Sequence, residues 1–159
     1  VSQNAPFAPI HESWQRRSRN LVPLDDEEAR RRAGRISAKV LANRRPPYGL
    51  RGGLYDALSD TNGTTGVVDN ETAAAAATLF EQREGIDLAP AAAVAVAHLV
   101  AAARSGVVGG DEPIMLNVTG GGYRRIRQEL VVREVAPSSV IERDDFTLET
   151  VERAVTALF

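Results

Sequence analysis

The chain has 159 residues, of which 43% are hydrophobic and 25% are charged, and its formal net charge is −2 at pH 7. This composition is typical of one soluble globular domain, and the small charge excludes a general attraction to nucleic acid or acidic membranes. The absence of cysteine excludes disulfides and thiolate chemistry, and two histidines far apart in sequence do not make a metal-site pattern. No stretch reaches the ~20 apolar residues of a membrane span. We therefore expect a cytoplasmic protein without a bound metal.

The first residues read like the end of a strand whose beginning is absent, and the chain starts with Val1 rather than Met. We therefore expect a cleaved or naturally split protein. A short helix around Trp14 follows. Residues 25–45 then predict a longer helix, because its first turn is acidic, its last turn is basic and Pro46 and Pro47 stop it. Its apolar face holds Ala29, Ala33, Ile36 and Val40.

A glycine-punctuated loop leads to a short buried strand in residues 66–70. Asn70 is expected to cap the next helix, and Gly85 to end it. Pro90 suits the first position of a third helix, which is apolar almost all round and is therefore expected to be buried. His98 in that helix is interpreted as a core or rim histidine rather than a ligand.

The last third of the chain predicts two more strands and two helices. Residues 113–119 alternate like a strand, and residues 130–135 predict another at a sheet edge. Residues 123–129 form a turn or short helix between them, and the last helix begins near Thr147. Strands separated by helices predict an α/β fold: an open, mostly parallel sheet with helices on both faces, in three layers.

Three consecutive glycines end the predicted strand 113–119. In open parallel sheets ligands bind beyond the carboxyl ends of the strands, and glycines let the backbone come close to a flat or anionic ligand. Three alternatives stay open on this pattern: a tight strand-to-helix turn, a phosphate loop, or a Thr119 hydroxyl that meets the nitrogen of a heteroaromatic cofactor. The P-loop ending and the Gly-x-Gly-x-x-Gly pattern are both missing.

Four segments in consistent order resemble the C-terminal part of fold-type II pyridoxal-phosphate enzymes. They are SQNAPFAPI, LANRRPPYGLRGGLYDAL, EGIDLAPAAAVAVAHL and IMLNVTGGG. Among these enzymes the chain resembles the threonine synthase group, and within that group cysteate synthase. The resemblance implies a two-domain α/β fold with pyridoxal 5'-phosphate between the domains, so that residues 1–159 are the C-terminal part of such an enzyme.

The resemblance also implies cofactor contacts. In that family a serine or threonine hydroxyl at a strand end bonds the pyridine nitrogen, and Thr119 matches that position. A hydroxyl does not stabilise a protonated ring, which favours replacement at the substrate β-carbon over transamination. Gly120 and Gly121 would give the ring edge room, and Gly52 and Gly53 match the loop that passes the cofactor's face.

Four further residues are assigned with less detail. Asp87 lies in a segment that matches the neighbourhood of the ring, and it stays open whether Asp87 is a polar neighbour of the cofactor or assists the following helix. Gln3 and Asn4 are expected to line the substrate pocket from a strand end. Arg51 is expected to attract the anionic substrate.

The family needs a Schiff-base lysine that also moves the α-proton. The one lysine here, Lys39, has the sequence context of a surface helix, and in the family that lysine belongs to the N-terminal half, together with the phosphate cradle. No catalytic residue is therefore assigned to this chain. We expect an N-terminal half or companion subunit to complete the site, and the assembled enzyme to be a homo-oligomer.

The implied activity is that of a transferase or lyase of amino-acid metabolism, in which sulfite replaces the phosphate of O-phosphoserine to give cysteate. One alternative is a threonine synthase-like reaction on O-phosphohomoserine. The other, from a different class, is a noncatalytic binding or assembly subunit that uses its glycines for packing.

Overall fold

The structure, a computed structural model, describes residues 1–158, with the backbone alone at residue 143. It divides into two compact units, Val1–Ile126 and a second that begins at Arg127. Within the described residues no helix has the length and apolar character that crossing a membrane requires. The elements are β1 (Ser2–Asn4), α1 (Pro9–Gln15), α2 (Asp26–Arg35), a 3-10 turn (Lys39–Leu41), α3 (Leu54–Asp60), β2 (Gly66–Val68), α4 (Asn70–Glu84), α5 (Pro90–Arg104), α6 (Tyr123–Glu129), a 3-10 turn (Arg143–Asp145) and α7 (Leu148–Thr156).

The sheet of the first unit is a parallel pair in which Ser2 lies opposite Gly66 and Asn4 opposite Val68. The α/β class and the two short strands are thus confirmed. The strands predicted at 113–119 and 130–135 are wrong for this structure, because neither segment pairs with a strand among the described residues. A strand needs a neighbour for its backbone groups, and a three-layer sheet is accordingly not seen here.

Helix α2 ends at Arg35, ten residues before the predicted end. The Asn70 side chain explains this, because it donates to the Arg35 carbonyl at 2.8 Å and accepts from the Ser37 N–H at 2.9 Å. Ile36 turns extended, and its side chain is buried. Lys39 is exposed, as expected, but it lies in the 3-10 turn rather than in a long helix. Val40 was predicted on the apolar face of the helix, and its side chain is instead 81% exposed.

Helices α4 and α5 pack against each other and form the main core. Asp69 rather than Asn70 caps α4, by accepting from the Thr72 N–H, whereas Gly85 ends the helix in the left-handed region as predicted. Pro90 begins α5, but only the first half of α5 is buried, so the prediction of an entirely buried helix is wrong. The core cluster consists of Ala38, Val68, Ala73, Ala76, Ala93, Val94, Val96 and Ala97.

His98 projects from α5 onto the sheet. Its Nδ1 lies 2.7 Å from the Ser2 hydroxyl, and a Cβ at Gly66 would lie 2.1 Å from its Nε2. Gly66 therefore has to be glycine while the ring occupies this position. The half-buried position of His98 and its Nδ1 contact agree with a rim histidine, and its not being a ligand stays a prediction.

A second, aromatic cluster joins α1 to α3. The buried side chains of Trp14, Tyr48 and Leu58 pack together, and the Tyr55 ring meets both Trp14 and Tyr48 edge-on with ring centroids 5.6 and 5.7 Å apart. Trp14 is the only tryptophan of the sequence. The buried Tyr48 hydroxyl has no hydrogen-bond partner in the described part of the chain, and burial raises its pKa.

Candidate functional site

The glycine run lies against the segment that precedes α5. The Ala89 N–H donates to the Gly120 carbonyl at 3.0 Å, and the Gly122 N–H donates to the Asp87 carbonyl at 2.8 Å. Between them, Leu88 and Gly121 form an isolated antiparallel bridge. Two of the segments on which the resemblance rests are thus in direct contact.

The close packing explains one of these glycines in particular. Gly121 has φ of +154°, and a Cβ there would lie 2.2 Å from the Asp87 carbonyl oxygen. Gly122 also has a positive φ, +76°, but a Cβ there would meet open space. Packing therefore requires glycine at 121, whereas backbone conformation alone favours it at 122.

Asp87 fastens this contact with its side chain. Its Oδ1 accepts a hydrogen bond from the Arg124 N–H at 3.1 Å, at the start of α6. The N-cap of α5 is Ala89, so Asp87 assists a helix other than the one that follows it directly. The guanidinium of Arg124 in turn pairs with Glu81.

Thr119 lies immediately before the glycine run and is exposed. Its hydroxyl makes no hydrogen bond to any other residue that the structure describes, so both its donor and its acceptors are available to a ligand. Nearby Leu116 packs on the α4–α5 core, while Met115 is 94% exposed. The segment is anchored on one side only.

Loop 49–53 is organised by a residue that the sequence analysis missed. The Asp56 carboxylate accepts from the Gly52 N–H at 2.7 Å and forms an ion pair with Arg19. The Arg19 hydrogen bond and then the Gly52 N–H hold the pKa of Asp56 below its ordinary value. Gly53 is held close to the chain, since a Cβ there would lie 2.8 Å from the Leu50 carbonyl oxygen.

Gln3 and Asn4 use their polar atoms within the chain. The Gln3 Oε1 accepts from the His11 N–H at 2.8 Å. The fully buried Asn4 donates to the Val68 carbonyl at 2.9 Å and accepts from the Ala38 N–H at 3.0 Å. These contacts fix the end of β1, and a role for either residue in substrate binding stays a prediction.

The predicted site residues therefore fall into three groups: the glycine run with Asp87, loop 49–53 with exposed Arg51, and the end of β1. Hydrogen bonds between these groups are not found among residues 1–158. The structure brings together only Asp87, Gly120 and Gly121 of the predicted residues. In the same described residues, no three His, Asp or Glu side chains are grouped to hold a metal ion.

The glycine run and loop 49–53 each leave room beside the backbone for a flat heterocycle. Thr119 offers an uncommitted hydroxyl, and Gly52 and Gly122 leave open space where a side chain would stand. The amine of Lys39, the one lysine of the sequence, donates to the Gly34 carbonyl at 2.5 Å on the surface, and no hydrogen bond joins it to these residues in the part of the chain that the structure describes.

Comparison with known proteins finds relatives that are named cysteate synthase. No protein-family profile matches it. It is 42% identical over 150 residues to a cysteate synthase of Methanosarcina barkeri, which is 94% of this chain and 36% of that protein. Cysteate synthases of Methanoculleus marisnigri and Methanocella paludicola are 48% and 41% identical over 86% and 98% of the chain. The chain spans about a third of the length of these relatives.

Proposed function

We propose that this chain is the C-terminal portion or a subunit of a pyridoxal 5'-phosphate-dependent amino-acid β-replacement enzyme of the cysteate synthase kind. The observation that carries the proposal is the uncommitted Thr119 hydroxyl beside a packed glycine run, in a chain 42% identical to a cysteate synthase. Fold type II, a cytoplasmic location and a homo-oligomeric assembly belong to the same proposal.

Thr119 would hold the cofactor's ring nitrogen by a hydrogen bond from its hydroxyl. A hydroxyl has a pKa far above that of a pyridinium, so it leaves the nitrogen unprotonated. The contact of Gly121 with Asp87 fixes the backbone that follows Thr119, and the link of Asp87 to Arg124 fixes it further. These contacts preorganise the backbone next to Thr119, so less ordering of that backbone would be left to substrate binding.

The second edge of the site would be loop 49–53. Asp56 holds the Gly52 backbone, which leaves the open side of Gly52 facing outward without a side chain. Arg51 in the same loop is exposed and would attract an anionic substrate such as O-phosphoserine. The bound cofactor would supply an electron sink for the replacement of phosphate by sulfite at the β-carbon.

A companion segment would supply the Schiff-base lysine, since Lys39 lies on the surface and bonds the Gly34 carbonyl. The same segment would supply the phosphate loop. The test mixes the chain with the remaining part of the Methanosarcina barkeri relative, adds pyridoxal 5'-phosphate and records the absorbance of the lysine-bound cofactor. We expect no such band from this chain alone and a band from the mixture. A strong band from the isolated chain would contradict the division of the site.

Thr119→Val and Thr119→Ser in the mixture test the hydroxyl. We expect the Val variant to shift the cofactor band and lower sulfite-dependent phosphate release by about tenfold or more, and the Ser variant to keep both. Thr78→Val, which removes an exposed hydroxyl from α4, is the matched control. Unchanged spectra and turnover in the Val variant would refute the role of Thr119.

The same mixture distinguishes the alternative functions. Turnover of O-phosphohomoserine instead of O-phosphoserine would favour the threonine synthase-like alternative. A mixture without any cofactor band would favour a noncatalytic subunit.

A further inference from the structure

A polar cavity of about 320 Å³ lies at the carboxyl ends of α1 and α3, and it is lined by residues 14, 15, 17 and 62–65. Residues 64 and 65 directly precede β2, and the Thr64 carbonyl accepts from the Val1 amino group, one residue before β1. The cavity therefore lies at the amino ends of the two parallel strands. None of the residues that the proposed function uses lines it.

Arg17 brings a positive charge to this cavity. Its guanidinium carbon lies 5.3 Å from the centroid of the Trp14 ring, so the charge is held against the ring face. It forms no ion pair with any acidic side chain that the structure describes, and the lining residues include neither Asp nor Glu. The charge is therefore positioned by a neighbour that does not neutralise it.

The backbone of Arg17 is unusual for an arginine. With φ of +53° it takes the left-handed position just beyond the end of α1, where helices most often place glycine. Its N–H donates to the Trp14 carbonyl at 2.9 Å, and the next N–H, of Ser18, donates to the Ser13 carbonyl at 3.1 Å. Asn62 takes the same position after α3, but asparagine tolerates this backbone well. Because arginine gains nothing from the left-handed region, the conflict indicates a task for its side chain.

The indole N–H of Trp14 is a second donor. Trp14 is 8% exposed, and its Nε1 has no hydrogen-bond partner among residues 1–158. The N–H still reaches solvent, unlike the Tyr48 hydroxyl, which is enclosed without a partner. Since Trp14 and Arg17 both line the cavity, a carboxylate in it can accept hydrogen bonds from both side chains.

The two helix ends supply acceptors to the same cavity. The last carbonyls of a helix have no partner within it. Those of Gln15, at the end of α1, and Asn62, just beyond α3, accept no hydrogen bond from another described residue. Such carbonyl ends favour a cationic group and disfavour a purely anionic one. The cavity thus presents a cation and a neutral donor together with a set of acceptors.

We propose that this cavity binds an α-amino acid in its zwitterionic form. The carboxylate accepts from the Arg17 guanidinium and the Trp14 indole N–H, and the ammonium group donates to the carbonyls of Gln15 and Asn62. A zwitterion matches both kinds of partner, whereas a simple anion or a simple cation matches only one. The volume lies at the small end of the range of small-molecule sites. The amino acid is a second ligand, independent of the residues of the proposed function.

The Trp14 indole N–H provides a direct readout, because the sequence has no other tryptophan and its signal in a proton–nitrogen NMR spectrum is unique. L-Alanine is the probe, since the assigned contacts involve only the main-chain groups of an amino acid. Acetate and ethylamine carry the carboxylate and the ammonium group separately. We expect L-alanine to shift the indole signal saturably with a dissociation constant of about 1 mM, and acetate and ethylamine to bind at least about tenfold more weakly. No saturable shift with L-alanine, or equally tight binding of acetate, would overturn the proposal.

Arg17→Gly separates ligand binding from folding. Glycine suits the left-handed backbone, so this variant removes the guanidinium without a backbone cost. We expect calorimetric titration with L-alanine to show an affinity at least about tenfold lower. Arg16→Ala is the matched control, because Arg16 is exposed and does not line the cavity, and it should bind within about threefold of the parent chain. Equal affinity in Arg17→Gly and the parent chain, or an equal loss in both variants, would overturn the proposal.

Discussion

The Asp56 carboxylate accepts a hydrogen bond from the Gly52 backbone N–H at 2.7 Å while it pairs with Arg19. One side chain thereby joins the start of α3 to the loop that precedes it and to the segment after α1. Because Arg19 and Gly52 both favour the ionised form, the folded pKa of Asp56 lies below its ordinary value of 3.8. We therefore expect the conformation of loop 49–53 to depend on this carboxylate.

Asp56→Asn is expected to speed amide exchange at Gly52, because a neutral amide is a weaker acceptor than a carboxylate. In the parent chain the interaction is complete above the unfolded pKa and is lost as the pH falls through the lower folded pKa. Exchange measured from about pH 6 downward checks both statements. Asp60→Asn in the same helix is the control, and equal exchange at Gly52 in all three proteins would contradict the assignment.

Asn4→Ala is expected to lower the free energy of unfolding by about 2 kcal/mol, because it leaves the buried Ala38 N–H without its partner and removes one of the two hydrogen bonds to the Val68 carbonyl. Urea unfolding of the chain measures the change. Asn117→Ala, at an exposed position, should change it by less than about 0.5 kcal/mol. A loss below about 1 kcal/mol in the Asn4 variant would contradict the stabilising role of its side-chain hydrogen bonds.

Gly121→Ala and Gly122→Ala separate packing from backbone strain. Gly122→Ala should cost about 1 kcal/mol for the left-handed backbone, because its Cβ meets open space. Gly121→Ala should cost clearly more, since its Cβ would lie 2.2 Å from the Asp87 carbonyl oxygen. Urea unfolding of both variants gives the comparison. Equal stabilities would mean that the contact with Asp87 is not maintained in solution.

Tyr48→Phe is expected to keep the free energy of unfolding or raise it by up to about 1 kcal/mol. The change removes a buried hydroxyl that lacks a partner in the described structure and leaves the ring in its cluster. Thermal and urea unfolding measure the difference. A loss of more than about 1 kcal/mol would instead show that the hydroxyl has a bonding partner, such as an ordered water.

His98 makes stability depend on pH. Burial, followed by the positive charges of the Val1 amino group and His11, lowers the folded pKa of His98 below 6.5. The unfolded chain therefore takes up the proton first as the pH falls, so the free energy of unfolding should decrease below about pH 6.5 and level off above it. Urea unfolding between about pH 5 and 8 measures this slope. His98→Gln should flatten it, and an unchanged slope would exclude His98 as its source.

Local signals predicted several helix ends correctly. Gly85 ends α4, Pro90 begins α5, and Thr147 caps α7 by accepting from the Thr150 N–H. These ends depend on residues within one turn of each other, which a sequence displays directly. The end of α2 could not be read in this way, because the side chain that ends it, Asn70, is 35 residues away from Arg35.

The predicted strands at 113–119 and 130–135 failed for a related reason. Alternation shows that a segment can pair, but the pairing partner decides whether it becomes a strand. For the candidate site as well, the sequence predicted some contacts and missed others. Gly120 and Gly121 do contact the segment of Asp87, although the strand predicted before them is not formed, and their role at a cofactor stays a prediction. Asp56 was missed. The available signal was an acidic residue three positions after Gly53, the usual spacing at which a side chain reaches back to the start of a helix.

Trp14 is the only tryptophan of the sequence, so tryptophan fluorescence reports on one place in the chain. Trp14 lies in the unit Val1–Ile126, and its buried ring touches that of Tyr55. Its emission therefore reports melting of that unit alone, while circular dichroism sums the helices of both. Thermal scans that coincide for the two signals would reveal a single cooperative transition, and scans that diverge would reveal that the part from Arg127 onward melts separately.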